Sequence, residues 1–217
     1  MNKLLVSDII NLKNDSYVLE CLNNKLKMII EGNTTVYLVD QILNELNIEI
    51  KDGSNLNLYR FNKNNENDLV VNIFECNNTS LKYNESFINN KDNKLVINNY
   101  IKGNNNESVI NIRNICNNKK SEIDINVLID KNTINNIALE DLKGINNGGF
   151  IHIEPNIICE SNEVVANHLT TIGNLDKRCL DYLMGKGLPI KLAKEILLKG
   201  FIYSNMDDYI KSIFGGE

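Results

Sequence analysis

From Lys25 onward the chain is a succession of short runs rich in β-branched and aromatic residues: KLKMII, TTVYLV, LNIEI, NLNLYRF, LVVNIF, TSLKY, KLVINNY, SVINIRNI and EIDINVLI. Many alternate apolar with polar positions. Leu56 and Leu58 are set against Asn55 and Asn57, and Ile123, Ile125 and Val127 against Glu122, Asp124 and Asn126. Period-two alternation is the mark of a strand with one buried face. Each run ends in a corner of Gly, Asn, Asp or Lys, as at Glu31-Gly32-Asn33 and Lys51-Asp52-Gly53-Ser54. Runs recur about every ten residues and pairs of runs about every 20 to 25, the coarse period of solenoid turns.

Two architectures accommodate such a series, an antiparallel sandwich and a parallel β-helix. Hairpin dipeptides are scarce, with Asp52-Gly53 the clear case, whereas a sandwich usually needs several. Only two prolines occur, and neither is expected to interrupt a strand. These signals tilt the reading slightly towards the β-helix.

The flanks read differently. Residues 1–24 fit either a short amphipathic helix or two strands, and are expected to be irregular with one short helix. Residues 131–148 are the least strand-like part of the middle. FIHIEPN follows as a strand, and Asn156 to Ala166 supplies a last rung. A polar turn from His168 to Gly173 then switches the chain to helices. Leu175, Cys179, Leu180 and Leu183 form one apolar stripe with Asn174 as N-cap, stopped by Gly185 and Gly187. Pro189 opens a second, carrying Ile190, Ala193, Ile196 and Leu197. Ser204 and Asp207 resemble a capping box before a last helix through Phe214. Three units result: an N-terminal segment 1–24, a β core 25–173 and a helical segment 174–217.

Composition excludes several functions. The net charge of −5 and pI near 5.2 give no bulk attraction for nucleic acid phosphates. No apolar stretch approaches the ~20 residues that span a bilayer, and the first residues lack a secretory signal, so a soluble cytoplasmic protein is expected. The five cysteines, Cys21, Cys76, Cys116, Cys159 and Cys179, form no C-x-x-C pair and read as reduced thiols. No phosphate-binding G-x-x-x-x-G-K, G-x-G-x-x-G or G-x-S-x-G pattern occurs. Asparagine is abundant; coding bias explains most of it, and tolerance of left-handed corners the rest.

The segment Val164–Ile202, VVANHLTTIGNLDKRCLDYLMGKGLPIKLAKEILLKGFI, resembles the C-terminal signature of the SufB/SufD family of iron–sulfur cluster assembly scaffolds. Ala166, His168, Thr171, Gly173, Leu180, Tyr182, Leu183, Gly187, Leu188, Ala193, Leu197 and Phe201 fall on that pattern without a gap. Leu169 and Thr170 replace the small pair after the histidine, and Gly185-Lys186 replaces Ser-Arg. The resemblance implies a right-handed parallel β-helix with a small C-terminal helical segment, and decides between the two architectures. It also implies a non-enzymatic subunit acting with a SufC-type ABC ATPase, which would bind the ATP, and pairing with itself or with a SufB-like subunit. Having the histidine but Leu169 in place of the SufB-side glutamate, the chain looks SufD-like. At the distance of the SufB-type cysteine stands Ile137-Ala138-Leu139-Glu140. The chain is short for the family.

On this resemblance His168 and Cys159 are candidate iron–sulfur ligands, and Tyr182, Leu183, Gly187 and Phe201 candidate contacts to the ATPase. Each has a plainer role as well. His168 could order the strand-to-helix switch, and Cys159 could simply pack. His152, between Ile151 and Ile153, reads as a solvated strand residue. The competing functions are a structural partner that binds no cluster and an unrelated β-solenoid binding module.

Overall fold

The structure, a computed structural model, describes residues 2–65 and 67–214. Successive strands alternate between two parallel sheets, eight odd-numbered strands from β1 (Asn2–Val6) to β15 (Val164–Gly173) in one and seven even-numbered strands in the other. Two strands therefore complete one coil, and the chain winds as a parallel β-solenoid rather than as hairpins.

The alternation in sequence becomes the division between inside and outside. Leu26, Leu46, Val71, Ile97 and Ile125 stack in register along one sheet, on five successive strands. All are buried in a single core running the length of the coil. In-register stacking is fixed by this burial, because a slip of one residue would turn each inward column outward. The coil also widens along the chain. Asn2 pairs with Tyr17, fifteen residues on, whereas Glu107 pairs with Ile137, thirty residues on. The spacing expected from sequence, about 20 to 25 residues, falls in the middle of this range.

The wider coils enclose polar groups as well as apolar ones. Tyr83 Oη donates to Glu85 at 2.5 Å, and Glu85 pairs with the buried Arg60. Glu75 accepts from Asn99 Nδ2 (2.8 Å) and Thr79 Oγ1 (3.0 Å).

The asparagines have a role beyond corners. Asn14, Asn78, Asn105, Asn118 and Asn135 do take positive φ, the conformation that asparagine tolerates best after glycine. Others form ladders outside the coil: Asn47, Asn72, Asn98, Asn126 and Asn156 pass side-chain hydrogen bonds from rung to rung at 3.0–3.3 Å. Such ladders reward identical residues in register.

Four local expectations are corrected. Among the described residues, 2–24 hold three strands, β1, β2 (Ile9–Lys13) and β3 (Ser16–Cys21), and no helix; their coils are the shortest, so each strand is too brief to display alternation. Residues 131–148 contain β13 (Asn136–Asn147), with Ala138, Leu142 and Gly144 inward. Pro155 lies inside β14 (Phe150–Cys159), which is the last strand of its sheet and needs no donor on its free side. The supposed turn His168–Gly173 is the second half of β15.

The helices α1 (Lys177–Gly185), α2 (Ile190–Ile202) and α3 (Asp208–Phe214) follow. Asp176, not Asn174, caps α1, accepting from Arg178 N at 2.8 Å. Asp207 accepts from Ile210 N at 3.1 Å, while Ser204 donates back to Phe201 O, so no reciprocal capping box forms. The side chain of Phe214 lies outside the described residues. Instead of standing at the coil's end, the tail turns back along the outer face of the eight-stranded sheet. Ile202, Met206 and Ile210 pack on Val18, Tyr37, Phe61 and Ile115. Tyr37 Oη donates to Asp207 Oδ2 at 2.5 Å, and the Phe61 and Tyr203 rings stack at 5.3 Å. This second cluster supplies the docking surface for α2 and α3, which short helices require; α1 takes no part in it.

Candidate functional site

Among the described residues, no element caps the end of the solenoid at β15. A stack of strands that simply stops exposes one strand's edge and the cross-section of its core. Every residue from Val165 to Ile172 is exposed, and α1, the element that follows, buries none of its residues. Val165, Leu169, Ile158 and Phe150 stand at outward-facing positions of the last two strands, each more than half exposed.

His168 sits in the middle of this edge. It pairs in register with Glu140 of β13, and in-register residues of a parallel sheet project from the same face. Glu140 belongs to the inward set with Ala138 and Leu142, so His168 is placed over the core opening rather than on the outer wall. Glu140 is 3% exposed, and neither carboxylate oxygen has a hydrogen-bond partner among the described residues. Burial pushes its carboxyl up to about 7. An unpartnered buried carboxylate is costly and calls for an explanation. In the sequence, Glu140 stands only where the family resemblance would put a SufB-type cysteine. The signal was available: an acid at an inward position, one coil before the histidine.

Its neighbour ties the end of the coil to the tail. Arg113, on β11 (Glu107–Asn117), pairs with Asp141 at 2.6 Å, and its Nε donates to Ser204 Oγ at 3.1 Å. Burial acts to raise the Asp141 carboxyl, but Arg113 and Lys143 outweigh it and hold it low.

The other predicted residues are scattered. Cys159 is exposed at the end of β14, in the opposite sheet from His168, and its Sγ donates to Ser161 O at 3.1 Å. The structure thus does not pair it with His168. Cys21 is pushed up to about 11, mainly by burial, and burial likewise raises Cys76 and Cys116, so none of these three is a ready thiolate. His152 Nε2 lies 3.6 Å from Glu154 on the solvent side of β14. Among the described residues no three His, Cys, Asp or Glu side chains cluster in a way that could hold a metal ion.

On the helices, Tyr182 is 64% exposed, with the Lys186 ammonium 5.5 Å from its ring. Leu183 is half-buried, and Gly187 ends α1 with φ +92°, a conformation that favours glycine. Phe201 is half-buried against the cluster that fastens the tail. Met184 of α1 and Ile190, Leu192 and Ile196 of α2 are exposed as well. Among the described residues, no helix is long and apolar enough to cross a membrane.

Residues 144–201 match a family model described as SUF system FeS cluster assembly, SufBD core domain. The matched stretch takes in the last part of β13, both terminal strands, α1 and nearly all of α2. No curated protein matches the chain.

Proposed function

We propose that the chain, whose residues 144–201 match the SufBD core domain of SUF iron–sulfur cluster assembly, is a SufB/SufD-like, non-enzymatic scaffold or accessory subunit working in the cytoplasm with a SufC-type ABC ATPase. The observation that carries this reading is the uncapped solenoid end, which lies within the matched segment and presents His168 over the orphaned Glu140.

The donors at that end limit what the chain does alone. Iron in clusters is held mainly by thiolates, with imidazole as an occasional substitute. His168 and Glu140 supply one nitrogen and one carboxylate; the exposed Cys159 belongs to the other sheet. A cluster, the cargo of such a scaffold, would need thiolates from a second chain docked on the open end. A SufB-like subunit or another copy of this chain is the partner in this proposal, its contact burying Val165, Leu169 and Ile158.

The ATPase is assigned to the exposed apolar surface of α1 and the start of α2, centred on Tyr182. Movement there would reach the solenoid through Ser204, Arg113 and Asp141, next to Glu140 in sequence. ATP binding and hydrolysis belong to the partner.

Co-expression with the ATPase and a SufB-like subunit, followed by affinity capture and reconstitution with iron and sulfide, tests the reading. Visible absorption by the wild-type assembly and its loss in His168→Ala support a cluster-bearing role. An equally colourless wild-type assembly that still captures the ATPase favours the purely structural partner. Absence of capture, with Tyr182→Ala indistinguishable from wild type, overturns both and leaves an unrelated solenoid binding module.

A further inference from the structure

A second feature lies away from the open end, where α2 crosses the outer face of the eight-stranded sheet. A cavity of about 420 Å3 separates them, within the ~300–1,000 Å3 range of small-ligand sites. Its floor on the sheet side is Ile88 and Ile115, which are register partners on β9 (Ser80–Asn89) and β11, so two isoleucines lie side by side as an apolar slab. Leu198 and Ile202 of α2 face that slab.

The rim has the opposite character. Lys191, Lys194 and Lys199 line the same cavity, with Glu195 as its single carboxylate. Their spacing puts all three lysines on the helix face that carries Leu198 and Ile202. Among the described residues none of the three forms an ion pair, whereas lysines on the strands, such as Lys25 and Lys94, are matched with acids. In a chain with net charge −5, unpaired cations gathered over an apolar slab make a local anion site.

We propose that this cavity binds a small amphipathic monoanion, a carboxylate or sulfonate with an alkyl or aromatic body. The body lies on the Ile88–Ile115 slab, and the head group is held by the lysines of α2. Charge alone would suit a free phosphate, but the apolar floor leaves a wholly polar anion without contacts. The bound molecule would wedge between α2 and the sheet and thereby set the position of the tail. This inference is independent of the cluster-assembly reading.

Titration of the full chain with 8-anilino-1-naphthalenesulfonate, followed by displacement with dodecanoate and with dodecanol, tests it. Saturable one-to-one fluorescence is expected, reversed by dodecanoate and much less by dodecanol. Lys191→Glu with Lys194→Glu, both on exposed positions, is expected to weaken the dye about ten-fold, equivalent to a shift of about 1.4 kcal/mol. Ile88→Trp, which fills the cavity without touching the charges, is expected to abolish one-to-one binding while the circular dichroism spectrum is retained. Dye binding unchanged in both variants, or displacement by the alcohol as readily as by the carboxylate, overturns the proposal.

Discussion

Buried acids are the residues on which this fold's chemistry turns. Glu75 is 1% exposed, and burial, against the hydrogen bonds from Asn99, Ser108 and Thr79, raises its carboxyl from 4.5 to about 7. In the unfolded chain it would lose its proton near 4.5. Between those values the folded state holds a proton that the unfolded state has released, so stability falls as pH rises through that window and is level above it. The full shift corresponds to about 3 kcal/mol at one unit per ~1.4 kcal/mol. Glu75→Gln removes the titration, so urea midpoints of the variant should change less than wild type between pH 5 and 8. Identical pH profiles would mean that Glu75 stays ionised in the coil. Such groups were invisible as a network in the sequence, because Glu75, Asn99 and Ser108 meet only when coils of different length are stacked.

Elements were legible in proportion to how completely they are covered. Strands in the middle of the stack have one wet and one dry face, and alternation announced them. β15 has a neighbour on one side only, so VVANHLTTIG is exposed on both faces and its second half, His168 to Gly173, reads as a turn. His168 was named from its resemblance, yet its place over Glu140 needed the register. The tail shows the converse. Its amphipathic helices were evident, but an apolar stripe does not state which surface it will cover. Contacts made by α3 and the preceding turn with Tyr37 and Phe61 decide that. Ile210 is fully buried there, and Ile210→Asp would put an uncompensated charge under the tail, a change of several kcal/mol in the tail's docking equilibrium. Hydrogen exchange should then accelerate over residues 203–214 while the core strands keep their protection. Equal acceleration in both would show that tail and coil unfold as one unit.

At the scale of the molecule the two ends of the stack differ. The narrow end begins with short strands, whereas the wide end stops at full width with a row of unpaired backbone groups on β15 and exposed Val165, Leu169 and Ile172. A parallel stack terminated this way is a template for adding another strand, and the helix that could have covered it turns away. Under the proposal made above, a second chain covering this end would both satisfy the unpaired edge and bring thiolate donors to His168. Leu169→Lys with Ile172→Lys changes only exposed side chains, so the coil should fold as before, with its far-ultraviolet spectrum intact. Mass from light scattering should show association of wild type, alone or mixed with a SufB-like partner, and a single chain for the variant. The tail packs on the flank of the coil, so the Ile210→Asp lesion should leave association unchanged. If the lysine pair associates as well as wild type while the tail variant does not, the contact runs through the helices, and the open end is not where the subunits meet.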